Sequence, residues 1–149
     1  MPGLEDLYRE IILDHYRAPR NRGELPVPPA HKAEGFNPLC GDRLTVYLRI
    51  AEGVITDISF QGSGCAISKA SASLMTESLK GQSVVEAAAL FNRFQHMVTA
   101  SPDSPIDQLG KLTALGGVRQ FPIRVKCASL AWHTMRAALD ARDEVVSTE

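Results

Sequence analysis

A chain of 149 residues that is 44% hydrophobic and 22% charged has the size and apolar content of one globular domain. Sixteen Lys and Arg offset seventeen Asp and Glu to a net charge of −1, so there is no bulk positive field for nucleic acid or an anionic membrane. The longest apolar run, Ala87 to Phe91, is far short of the ~18 residues of a spanning helix, and Met1 to Asp6 lack a secretion signal's basic flank and apolar core. A cytoplasmic protein without nucleic-acid or membrane partners is expected.

Leu4, Leu7, Tyr8, Ile11 and Ile12 recur at helical spacing and predict an amphipathic helix over 4–16, ended by Pro19. The stretch from Pro19 to Pro38 holds five of the nine prolines and reads as a wrapping loop with at most a short edge strand. Arg17, Arg20 and Arg22 at its start form either a solvated turn or a docking patch. From Leu44 to Phe60 the period becomes two. Ala51-Glu52-Gly53 fits a three-residue hairpin loop, which sets Leu44 opposite Phe60, Val46 opposite Ile58, Tyr47 opposite Asp57 and Ile50 opposite Val54.

A helix carrying Ile67, Ala70, Leu74 and Met75 is expected next, with Gly81 at its end. Ser83-Val84-Val85-Glu86 has the spacing of a capping box, opening a helix with Ala87, Leu90, Phe91, Phe94 and Val98 inward. Ser104-Pro105 and Asp107 read as another helix start, with Leu109, Leu112 and Leu115 before Gly116-Gly117. Leu130, Ala131, Thr134, Met135 and Ala138 share a face of a last helix, and 143–149 read as frayed.

Three cysteines are too few for a secreted disulfide scaffold, and their separations of 25 and 62 residues match no zinc ribbon or redox pair. Extending the hairpin register brings Asp42 opposite Gly62 and Cys40 opposite Gly64, next to Cys65. Gly41 and Gly62-Ser63-Gly64 permit the sharp turn and close approach this needs. Cys65 is expected to open one helix and Cys127 the last one, where the helix N-terminus favours a thiolate. Cys40, Asp42, Cys65 and Cys127 then make four ligands, enough for tetrahedral zinc or for an iron–sulfur cluster. Taken singly, Cys127 reads equally as a buried small hydrophobe and Asp42 as a loop cap. His133 falls on another face of the helix from Cys127, while folding could bring His15 or His31 near a thiol. Arg124 and Lys126 flank Cys127 as a docking charge, a means of lowering its pKa, or ordinary surface cations.

The segments Leu7 to Tyr16 with Pro19-Arg20-Asn21-x-Gly23, Asn37-Pro38-Leu39-Cys40-Gly41-Asp42, Gly62-Ser63-Gly64-Cys65-Ala66-Ile67-Ser68, and Arg124-Val125-Lys126-Cys127-Ala128-x-Leu130-x-Trp132 resemble the IscU/NifU N-terminal family, and within it the SufU branch. The resemblance spans nearly the whole of 1–149. It implies a single α+β domain, a three-stranded antiparallel sheet with helices packed on one face, in the SufE/NifU-like two-layer manner. IscU-type members of that family are scaffolds for iron–sulfur clusters. Lys126, where those scaffolds carry histidine, and an insertion from about Phe91 to Val118 favour the SufU branch. That branch implies a zinc-binding sulfurtransferase partner of a SufS-type cysteine desulfurase, with Cys40 as sulfur acceptor and further sulfur or cluster acceptor proteins downstream. The position of Cys40 between Pro38 and Gly41 agrees, since a loop thiol can swing outward. A transient cluster scaffold and a binding module with structural zinc are the competing expectations.

Overall fold

The computed structural model describes residues 4–105, 108–141 and 145–148. In chain order these form α1 (Leu4–Arg17), β1 (His31–Asn37), β2 (Asp42–Ala51), β3 (Val54–Ser63), α2 (Ala66–Leu79), α3 (Val84–Thr99), a 3-10 helix (Gly110–Gln120), α4 (Pro122–Leu139) and β4 (Val146–Ser147). The sheet has four strands, in the order β3-β2-β1-β4, where three were expected. The fourth comes from the segment read as frayed: Val146 and Ser147 pair parallel with Gly35 and Phe36. The proline-rich stretch ends in a seven-residue strand lying between β2 and β4, longer and less peripheral than its composition suggests.

The hairpin register differs from the expected one by two residues. Glu52 and Gly53 both have positive φ, 52° and 74°, so the connection is a two-residue turn whose twist suits the strands. Thr56 is then an extra residue, since Ile50 pairs with Ile55 but Arg49 with Asp57. Val46 therefore faces Phe60, Leu48 faces Ile58 and Tyr47 faces Ser59. An even slip leaves every side chain on its expected face, which is why alternation could not detect it.

The inner face carries Ala33, Gly35, Val46, Leu44, Leu48, Ile58 and Phe60, all buried, and ends in a polar pair, Asn37 opposite Asp42. Helices α2 and α4 cover this face, α1 lies on α2, and α3 lies on α4. Small residues let α2 and α4 come close: Ser71 Oγ donates to the Ala128 carbonyl at 2.6 Å and accepts from Trp132 Nε1 at 3.2 Å. Trp132 stacks on Phe94 of α3 with ring centres 4.4 Å apart. The outer edge of β3 is occupied by the chain itself. Ile55 exchanges backbone hydrogen bonds with Gly81 and Gln82, and Phe60 does so with Asn21 and Gly23, which hides an edge open to other strands.

Ser83 caps α3 as its spacing predicts, accepting the Glu86 N–H at 3.0 Å. Within α3, however, Met97 is buried while Leu90 and Phe91 are half-buried. Leu7 of α1, expected inward, is 54% exposed. The leucines at 109, 112 and 115 sit on a 3-10 helix that begins at Gly110 and runs on through Gly116-Gly117, three-residue spacing being the 3-10 period itself. Asp107, placed at a helix start by the sequence reading, lies outside the described residues. Arg119, also buried, donates to the carbonyls of Met97, Ser101 and Ser104 and so closes the C-terminal end of α3.

His15 locks α1 to α2, with Nδ1 2.7 Å from Ser73 Oγ and Nε2 3.9 Å from Glu77 Oε1. Burial first, then the charge of Arg20, holds its pKa below the ordinary 6.5. The unfolded chain therefore takes up that proton more readily, so stability should fall as pH drops below 6.5 and level off once the folded state is also protonated. In a His15→Gln variant this part of the curve should flatten, as read from urea midpoints over about pH 7 to 5.

Candidate metal centre

The strand pairing that sets Asn37 opposite Asp42 leaves four residues, 38–41, to reverse the chain. Asn37 organises that turn. Its Oδ1 accepts the Leu39 N–H at 3.2 Å, and its carbonyl accepts the N–H groups of Cys40 and Gly41 at 3.3 and 2.8 Å. Gly41 takes the left-handed φ of 72° that closes the loop. Cys40 thus stands half-buried at the mouth of the sheet, beside Leu39, which is 57% exposed.

Asp42 is wholly buried, and its Oδ1 accepts the Cys65 N–H at 2.9 Å. The approach requires the bare backbone of Gly64, where a Cβ would stand 2.6 Å from that oxygen. Cys65 is the N-cap of α2, its Sγ accepting the Ser68 N–H at 3.4 Å. The fully buried Cys127 lies in the second turn of α4, its Sγ 3.3 Å from that of Cys40. Asn37 also reaches this group from beneath, its Nδ2 3.3 Å from Asp42 Oδ2 and 3.6 Å from Cys127 Sγ.

Among the described residues, one ligand atom each from Cys40, Asp42 and Cys127 fall within 4.8 Å of one another, a group able to hold a metal ion. Cys65 is not in that tight set, although its thiol hydrogen-bonds with Cys127. The sequence expectation of Cys127 at a helix opening is corrected: α4 begins five residues earlier, at Pro122, so the helix N-terminus does not face this thiol. Burial, followed by hydrogen bonding with Cys40 and the nearby charges of Cys65 and Asp42, pushes its pKa upward. A cation placed among these groups is what would reverse that preference.

No histidine joins the group. His15 faces Ser73, His31 is at the opposite end of β1 across from Leu48, His133 meets Gln95, and His96 is exposed on α3. Arg124 is exposed in the first turn of α4 near the likewise exposed Phe121 and Ile123, while Lys126 points into a cavity between α3, α4 and β4. Asn37 was quoted by the sequence reading without a role. The signal was there, since Asn before Pro at a strand end is the residue that starts a side-chain-bonded turn.

A two-layer α+β fold with cysteines and an aspartate at one sheet end defines a class, and the chain belongs to it: residues 7–128 match the NifU-like N-terminal domain. The zinc-dependent sulfurtransferase SufU of Bacillus subtilis (strain 168) is 39% identical over 142 residues, covering 95% of this chain and 94% of that protein. The iron–sulfur cluster assembly scaffold protein IscU of Streptococcus pyogenes serotype M1 is 38% identical, covering 91% and 84%. A crystal structure from Fervidobacterium islandicum AW-1, named for a SUF-system iron–sulfur cluster assembly scaffold (FiSufU), matches with a TM-score of 0.79 and 33% identity over 92% of this chain and 99% of that one. The family resemblance read from the four motifs is borne out. Among the described residues no helix is long and apolar enough to cross a membrane.

Proposed function

We propose that this chain binds one zinc ion through Cys40, Asp42, Cys65 and Cys127 and accepts sulfur on Cys40 from the persulfide of a SufS-type cysteine desulfurase, for delivery to a downstream acceptor. The observation that carries the reading is the contrast among the thiols: Cys127 is fully buried in α4 and Cys65 caps α2, whereas Cys40 sits on a turn. Three sulfurs and one carboxylate fit zinc, and Asn37 Nδ2, pointing at both Asp42 and Cys127, is the kind of outer partner that fixes ligands. When bound, zinc supplies the positive charge that keeps these thiols deprotonated.

In the transfer step the Cys40 thiolate attacks the outer sulfur of the desulfurase persulfide. The sulfur–sulfur bond of the donor breaks, its electron pair leaves with the desulfurase cysteine as a thiolate, and Cys40 carries the new persulfide. Oxidation states balance without an added oxidant or reductant. Reduced thiols of this kind suit a cytoplasmic setting. Lys126, an ammonium with no lone pair at neutral pH, directed into another cavity, supports sulfur transfer over a cluster scaffold.

Metal content after aerobic and anaerobic purification, paired with desulfurase turnover in the absence of iron, tests the proposal. One zinc per chain and faster turnover are expected. Bound iron and sulfide without stimulation would point to a scaffold, and zinc without stimulation to a structural site; either result rejects sulfur transfer.

Leu39, Phe121 and Ile123 are 57%, 58% and 56% exposed around the cysteine end, and Arg124 brings charge to it. A docking charge acts on association and its salt dependence. Arg124→Ala should raise the half-saturating concentration for desulfurase stimulation about 2- to 5-fold at low salt, an exposed-pair effect of about 0.5–1 kcal/mol, with the difference vanishing at high salt. Identical titrations for variant and parent at low salt would remove Arg124 from the interface.

A further inference from the structure

Away from the cysteines, a cavity of about 440 Å3 opens between α3, α4 and β4. Its walls include Gln95, Lys126, Ser129, His133 and Thr148. Gln95 Oε1, Ser129 Oγ and Thr148 Oγ1 are each buried with no hydrogen-bond partner, so half of the six such side-chain atoms among the described residues line this one cavity. Ser129 itself is only 4% exposed. Buried polar atoms are nearly always satisfied, and orphans gathered in one place mark a missing partner. The lining holds an ammonium, Lys126, and no carboxylate side chain.

We propose that this cavity binds a small organic acid that carries a hydrogen-bond donor beside its carboxylate, an α-amino or α-hydroxy acid. The donor and acceptor inventory sets that class. Lys126 and the hydroxyls of Ser129 and Thr148 offer hydrogen atoms and positive charge to a carboxylate. Gln95 turns its NH2 toward His133 Nε2 at 3.1 Å, which leaves its Oε1 as an acceptor that a carboxylate cannot satisfy and an ammonium or hydroxyl can. The site joins α4 to the strand whose Thr148 N–H bonds the Phe36 carbonyl of β1 at 3.2 Å, so a bound acid bridges helix and sheet edge.

The test is an amide-resolved NMR titration of the full chain with L-alanine and L-lactate, with acetate and inorganic phosphate as comparisons. Alanine and lactate separate the amino from the hydroxy source. At least one should give saturable shifts confined to residues around Ser129, His133 and Thr148, half-complete near about 1 mM. Lys126→Met and Ser129→Ala should each weaken the response at least tenfold, whereas the unliganded fold, read from the rest of the spectrum, should not change. Thr148→Val offers a nearly isosteric third variant. Absence of saturation below about 50 mM, shifts scattered over the surface, or acetate and phosphate binding as well as the two acids would overturn the proposal.

Discussion

Cys40→Ser should reduce persulfide capture to background after one desulfurase turnover, with the chain still folded. Serine's hydroxyl is not ionised at neutral pH and cannot replace a thiolate attacking sulfur. Cys40 is half-buried on a turn held by backbone bonds to Asn37, so its sulfur adds little to the core and stability should change by no more than about 1 kcal/mol. Peptide mass spectrometry under non-reducing conditions reads the outcome directly. A persulfide on Cys65 or Cys127, with the Cys40 variant still accepting sulfur, would remove the role from Cys40. Cys127→Ser places a hydroxyl in the fully buried position occupied by that thiol, so its stability loss would confound the same comparison.

The second large effect belongs to Asp42, and a pair of variants separates its two duties. One oxygen accepts the Cys65 N–H at 2.9 Å and the other faces Asn37 Nδ2. Asp42→Asn keeps an oxygen for the first bond but loses the negative charge, whereas Asp42→Ala loses both. Outer partners of a metal ligand are worth about 10- to 100-fold in affinity, so removing a ligand should cost at least about 100-fold, and both variants should show it. Only Asp42→Ala should also loosen the start of α2, by about 1.5–3 kcal/mol for a charged hydrogen bond in a buried site. Competition against a chromophoric chelator measures the first quantity, and amide exchange at Cys65 to Ser68 the second. Zinc affinity unchanged in Asp42→Asn would exclude the carboxylate from the metal.

The convergence of Cys40, Asp42 and Cys65 was legible because it depends on parity and proximity, both of which survived a two-residue slip in the hairpin. The slip itself was not legible. Glu52 in a left-handed turn position and Thr56 as an extra residue each move the register by one, and neither departs from the alternating pattern that reveals a strand. Cys127 was placed on the buried face correctly but at the wrong depth in its helix, because Pro122 rather than the cysteine opens α4. The fourth strand could not be read at all: two residues are too few to show a period, and their pairing with β1 is set by tertiary packing. The polar cavity beside it was invisible for the same reason.

The inner row of the sheet contains Gly35, where a Cβ would run into Thr134 Oγ1 and stand 3.0 Å from Leu130 Cδ1. With no side chain there, α4 lies directly against the backbone of β1, and its threonine occupies the notch. A helix indexed in this way can neither slide along its axis nor roll without colliding with the strand. Cys127, two turns before Thr134 on the same helix, inherits that immobility. Any change in the separation of the two nearest sulfurs therefore has to be made from one side, by the 38–41 turn. Partner-driven motion would be hinged there, and rigidifying that turn should slow the protein's cycle while leaving its resting geometry untouched.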